Sequence, residues 1–196
     1  MLVVVDESDF LQAVLASEVN RVVLERAPSL GAPDWWLTGG ALFQAVWNRV
    51  DGRDPDAGVL DRDLFYFDPS DLSWEAEDAV VREAADLFSD LPSPVQVRNE
   101  ARVHLWFEGR FGVTSQPFTS TRDAIDHFAS TTCCYGVTRG TGGFEVHAPH
   151  GFADLAAGRV RPNPGPATRE VYETKTARWT REWPTLIVEP WPDGVP

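Results

Sequence analysis

Asp61 and Asp63 stand two residues apart at the head of the apolar run Leu64 to Phe67. If that run is a strand, alternation puts both carboxylates on one face, where their oxygens converge as a hard divalent cation requires. Upstream, Gly39 and Gly40 open a helical run through Ala41, Leu42, Ala45, Val46 and Arg49. The first amides of a helix have no intrahelical acceptor and face the positive end of its dipole, so they suit a phosphate. A phosphate cradle beside a cation-holding pair suggests nucleotide chemistry. Each feature has a plainer reading as well: a glycine pair admits a tight turn, and an acidic doublet serves as a solvated turn with Asp61 paired to Arg62 or another arginine.

Lys175, Arg178 and Arg181 share one side of a helix expected over about residues 168–183. They suit a triphosphate or an anionic acceptor. The interleaved Glu170, Glu173 and Glu182 offer intrahelical ion pairs instead. Tyr172, Thr176, Trp179 and Trp183 occupy the other side, more as core than as base-stacking platforms. His104 alternates with Val103 and Leu105 and so shares a face with Arg102 and Trp106, either towards a pocket or half-exposed on a sheet. His147 and His150 have no partners at metal-ligand spacing.

The elements that must position these residues follow from periodicity and punctuation. Asp6 or Ser8 caps a first helix with the stripe Phe10, Leu11, Val14, Leu15, Val19, Val22 and Val23, ending before Pro28. A short strand or turn from Trp35 to Thr38, the glycine helix, a polar loop from Asp51 to Gly58 and the aspartate strand come next. Asp68 closes that strand in an Asx-type turn. Ser73 starts another helix with Glu75 and Glu77 in its first turn. Val95 to Arg98 and Val103 to Phe107 are expected as strands joined by the polar turn Asn99 to Arg102. A short helix near Ala124, a second hairpin from Tyr135 to Ala148 and a Pro-rich loop from Arg161 to Pro166 lead into the last helix.

The glycine helix start followed by a strand with Asp61-Arg-Asp63 resembles the signature of the nucleotidyltransferase superfamily. Asn99-Glu-Ala-Arg-Val-His-Leu-Trp106, Arg161-Pro-Asn-Pro164 and Arg178-Trp-x-x-x-Trp-Pro-x-Leu186 extend the resemblance to a bacterial nucleotidyltransferase-like family of about this length. The resemblance implies a mixed α/β fold of the DNA polymerase beta type, a sheet flanked by helices. The core is expected over residues 1–118, with a small C-terminal extension over residues 119–196. It also implies transfer of a nucleoside monophosphate from a nucleoside triphosphate to an acceptor that the sequence does not identify. Magnesium or manganese would be held by Asp61 and Asp63, with Gly39, Gly40, Lys175 and Arg178 contacting the nucleotide.

Two departures from the family pattern bear on catalysis. Arg62 stands where relatives carry an apolar residue, and it must find solvent or a salt bridge on the opposite face. Where relatives supply a third carboxylate from the neighbouring strand, this chain carries Gln96, with Glu100 four residues further on. An amide ligates a metal weakly and accepts no proton. The alternative is therefore a catalytically degenerate module for nucleotide binding or protein interaction.

The 196 residues are 43% apolar and 11% aromatic, which excludes a disordered chain. The net charge of −13 is uneven, with 21 of the 30 acidic but 9 of the 17 basic residues in positions 1–110. Such a surface disfavours general nucleic-acid binding. Met1 to Val5 lacks the basic start and length of a leader, and no run reaches the roughly 18 apolar residues of a membrane span, so a cytoplasmic protein without membrane partners is expected. Cys133 and Cys134 are adjacent, and reduced, unligated thiols are expected.

Overall fold

The computed structural model describes residues 6–165 and 168–194. Met1 to Val5, considered above as a leader, and Pro166 at the end of the Pro-rich loop lie outside the described residues.

The first helical stretch is two helices, α1 (Glu7–Ala16) and α2 (Glu18–Arg26). The apolar stripe predicts one, but Ser17 adopts an extended backbone and its hydroxyl accepts from the Asn20 amide at 3.0 Å. A serine able to cap a new helix there outweighs the continuing periodicity. After a 3-10 turn and a loop come β1 (Trp36–Thr38), α3 (Gly40–Val50) and β2 (Arg62–Tyr66). Ser73 caps α4 (Trp74–Leu87) by accepting from the Ala76 amide, and β3 (Val95–Asn99) follows. Asp68 accepts from the Ser70 amide at 2.9 Å, the expected Asx-type turn.

The strand expected over Val103 to Phe107 is instead the start of helix α5 (Val103–Phe111). Asn99 decides the matter. Its side-chain oxygen accepts from the Ala101 amide at 3.1 Å and turns the chain through a 3-10 turn, Glu100–Arg102, into the helix. The Arg102 guanidinium, ion-paired with buried Glu77 of α4, fixes that turn. The remaining described elements are α6 (Thr121–Asp126), a 3-10 turn (Thr131–Cys133), β4 (Gly136–Gly140), β5 (Gly143–His147), α7 (Ala153–Ala156), β6 (Arg159–Val160), α8 (Arg169–Glu182) and β7 (Ile187–Val188).

Five strands form a mixed sheet in the order β3-β2-β1-β4-β5. β2 and β3 are parallel, joined through α4, and the other pairs are antiparallel. Residues on both sides of position 118 share this sheet, because β4 pairs with β1. β6 and β7 form a separate parallel pair. The sheet face bearing Leu37, Leu64, Tyr66 and Val97 is buried with Phe10, Leu24, Leu42 and Val46 from the helices. A leucine such as Leu42, wholly buried, stabilises the fold by about 1.5–3 kcal/mol. No helix among the described residues is long and apolar enough to cross a membrane.

Candidate functional site

Alternation along β2 separates its two faces. Arg62, Leu64 and Tyr66 are buried, whereas Asp63 and Phe65 are only partly buried on the opposite face. That second face floors a cleft of about 400 Å³. Thr38 pairs with Asp63, so the residue after β1, Gly39, arrives beside the Asp63 carboxylate. Gly39 has φ 71° and ψ −151°, a backbone state reserved for glycine. A β-carbon on it would overlap the Asp63 carboxylate. Helix α3 therefore starts against the aspartate strand, and its first amides, of Gly40 and Ala41, precede the intrahelical ladder.

Asp61 lies one residue before β2 and lines the cleft with Asp63. Parallel pairing sets Gln96 opposite Asp63, and the Gln96 amide donates to Asp61 Oδ2 at 2.6 Å. Burial, then repulsion from Asp61, pushes the Asp63 carboxyl up to about 6, while Lys175, Arg98 and Arg178 pull the other way. The repulsion that Asp61 exerts on the Asp63 carboxylate is one that a cation would relieve. Their oxygens, with the Gln96 amide alongside, fit a hard divalent ion. Among the described residues no group of three His, Cys, Asp or Glu side chains is placed to hold a metal.

Arg62 faces away from the cleft and is 1% exposed. Its guanidinium pairs with Asp56 and donates to Ser93 Oγ, which fulfils the expected salt bridge. Nε also donates to Asn20 Oδ1 at 3.4 Å, and Asn20 Nδ2 donates to the Ala41 carbonyl at 2.9 Å. The aspartate strand and the first turn of the glycine helix are thus tied behind the site through one asparagine.

Across the cleft, α8 presents Lys175 and Arg178. The expected intrahelical pairing leaves both aside, because Glu173 pairs with Arg169 and Glu182 with Arg53. Arg181 does not line the cleft, whereas Trp179 both lines it and is buried. His104 falls on α5 outside the cleft lining, and His147 bonds Asp126 at 2.6 Å. Glu100 is 4% exposed in the cleft wall, with Oε1 unpartnered among the described residues. Burial pushes its carboxyl up to about 8, opposed by Arg98 and reinforced by Asp63.

The sequence reading missed the other wall, where Trp106, Phe107 and Phe111 of α5 face Phe118, His127 and Phe128. The spacing Val103, Trp106, Phe107, Arg110 and Phe111 is helical, a signal that the alternation of Val103, His104 and Leu105 masks. Cys133 also lines the cleft; it and Cys134 are free and buried.

A family model described as nucleotidyltransferase matches residues 25–188. A solved structure described as "The NMR structure of the protein reveals a CCA-adding enzyme head domain" aligns with a TM-score of 0.77 at 24% identity, over 95% of this chain and 97% of that one. At that identity the likeness shows the shared fold. The search of curated proteins found no match.

Proposed function

The chain belongs to the nucleotidyltransferase family, and from that premise we propose that it transfers a nucleoside monophosphate from a nucleoside triphosphate to an acceptor of unidentified structure. The observation that carries this reading is the abutment of Gly39, at the start of α3, on the Asp63 carboxylate. The Gly40 and Ala41 amides receive a phosphate, and Lys175 and Arg178 meet the triphosphate charge from the facing wall. Asp61 and Asp63 would hold magnesium or manganese, which when bound neutralises the triphosphate. These groups hold the α-phosphorus in line between an incoming acceptor oxygen and the departing pyrophosphate. As the bond from the acceptor oxygen to the α-phosphorus forms, the bond to pyrophosphate breaks, and the acceptor's hydroxyl proton passes to solvent.

The test is transfer of label from a nucleoside triphosphate labelled at the α-phosphorus, with cell extract as the source of acceptor. Label should appear in a new product with wild-type protein and stay in nucleotide with Asp63→Asn. Label that never leaves the nucleotide pool with wild type, under any divalent cation, contradicts transfer.

One observation favours a second reading, a nucleotide-binding module without turnover. Gln96 occupies the register position opposite Asp63 and donates to Asp61 rather than adding a third carboxylate. Magnesium-dependent binding without transfer supports that reading, and Gln96→Glu should then raise transfer above background.

A further inference from the structure

The cleft has two chemically different halves. The polar half holds Gly39, Gly40, Asp61, Asp63, Lys175 and Arg178; the other is walled by Phe65, Trp106, Phe107, Phe111, Phe118 and Phe128. Five of those rings, all but Phe128, belong to neither buried core nor the apolar layer packed on it. All five are partly buried: Trp106, Phe107 and Phe111 pack on one another, with Phe107 4.6 Å from Phe111 between ring centroids, while Phe65 lies 5.9 Å from Phe128 and Phe118 5.2 Å from His127. Arg98 steadies the Trp106 ring from 5.2 Å. Aromatic rings left out of the core and turned into a cleft present faces on which another flat ring can stack.

The two halves are continuous along the strands. Asp63 pairs with Gln96, and one alternation further Phe65 pairs with Arg98. Two strand residues advance about 7 Å, a step that the sugar of a nucleotide makes between its α-phosphate and its base. Glu100 follows on from Arg98, buried in the cleft wall, with Oε1 unpartnered among the described residues. A buried polar atom without a partner marks a place where a ligand's hydrogen bond is missing.

We propose that the aromatic half is a nucleobase subsite, in which the base of the donor triphosphate stacks against Trp106 and Phe107 and turns its edge to Glu100. This rests on the nucleotide-binding reading above. It goes beyond that reading in assigning affinity to the base as well as to the phosphates, and in giving Glu100 the role of reading the base edge.

The test is calorimetric titration of the whole chain, in magnesium, with each of the four common nucleoside triphosphates, inorganic tripolyphosphate and free nucleosides. At least one triphosphate should bind about tenfold more tightly than tripolyphosphate, the scale of one base–aromatic stack. Trp106→Leu and Phe107→Leu keep apolar volume but remove the stacking faces. Each should remove most of that preference while leaving tripolyphosphate affinity within about twofold, which also shows that the variants are folded. Glu100→Gln should change the order of preference among the four bases.

Tripolyphosphate binding as tightly as every nucleoside triphosphate overturns the inference while leaving the polar half intact. A base preference that survives both leucine variants overturns it too, since the base then lies elsewhere. Free nucleosides that bind without competing with nucleoside triphosphates, and lose that binding in both leucine variants, would assign the rings to the acceptor and likewise overturn it. Binding of neither triphosphate nor tripolyphosphate instead removes the nucleotide reading on which the inference rests.

Discussion

Gly39 and Asp63 stand so close that a β-carbon on the glycine would overlap the aspartate carboxylate. The contact follows from the pairing of Thr38 with Asp63, which delivers the end of β1 to the middle of the site. It couples the helix start that suits phosphate to the carboxylate that suits a cation, so neither can move alone.

Gly39→Ala should therefore injure site and fold together. Its φ of 71° strains any side chain, at about 1–3 kcal/mol, and the methyl must displace Asp63. Melting temperature should fall by several degrees and magnesium-dependent nucleotide affinity by at least about tenfold. A variant that melts lower but binds as wild type would show that the abutment serves only the backbone.

Asp63 predicts a pH signature. Its carboxyl is raised to about 6 in the folded, cation-free protein. An acid whose folded pKa exceeds its unfolded value costs no stability below the unfolded pKa, where both states are protonated. The cost grows as pH rises and is complete above about pH 6, on the order of 3 kcal/mol. Without metal, Asp63→Asn should melt above wild type near about pH 8 and level with it near about pH 3. Magnesium should close the gap at the higher pH by stabilising wild type alone. Equal melting curves across the range contradict the burial of this charge.

Arg62 is a strut behind the site. Arg62→Ala empties a buried site, takes the ion pair from the partly exposed Asp56, which keeps its bond from Ser17, and undoes the bond to Asn20 that reaches Ala41. A loss of about 1–3 kcal/mol is expected in chemical denaturation. A midpoint unchanged from wild type contradicts the strut.

Lys175 is the only lysine of the chain, which makes its place in the cleft directly measurable. Pyridoxal phosphate, an anionic aldehyde, should form one side-chain adduct after borohydride reduction, located at Lys175 by mass spectrometry. Tripolyphosphate with magnesium should protect it. Labelling that is indifferent to tripolyphosphate places Lys175 outside the anion site.

The parts of the account legible in the sequence are local ones. Gly39-Gly40 and Asp61-x-Asp63 carry their geometry in their own spacing, and the α8 cations follow helical periodicity. What stayed hidden depends on contacts distant in the chain. Arg62 finds Asp56 and Asn20 only in the folded molecule, and β4 joins β1 from roughly a hundred residues away. Over α5 the pattern favours a strand because Val103, His104 and Leu105 alternate like one, while the deciding bond belongs to Asn99. The same alternation hides the aromatic wall, since Trp106, Phe107 and Phe111 share a face only on a helix.

The most direct test of the central claim is calorimetric titration of nucleoside triphosphates into the purified protein, with and without magnesium, for wild type and Asp63→Asn. The account predicts binding that requires magnesium and is lost in a variant that remains folded. Magnesium-independent binding, or equal affinity in Asp63→Asn, would contradict it.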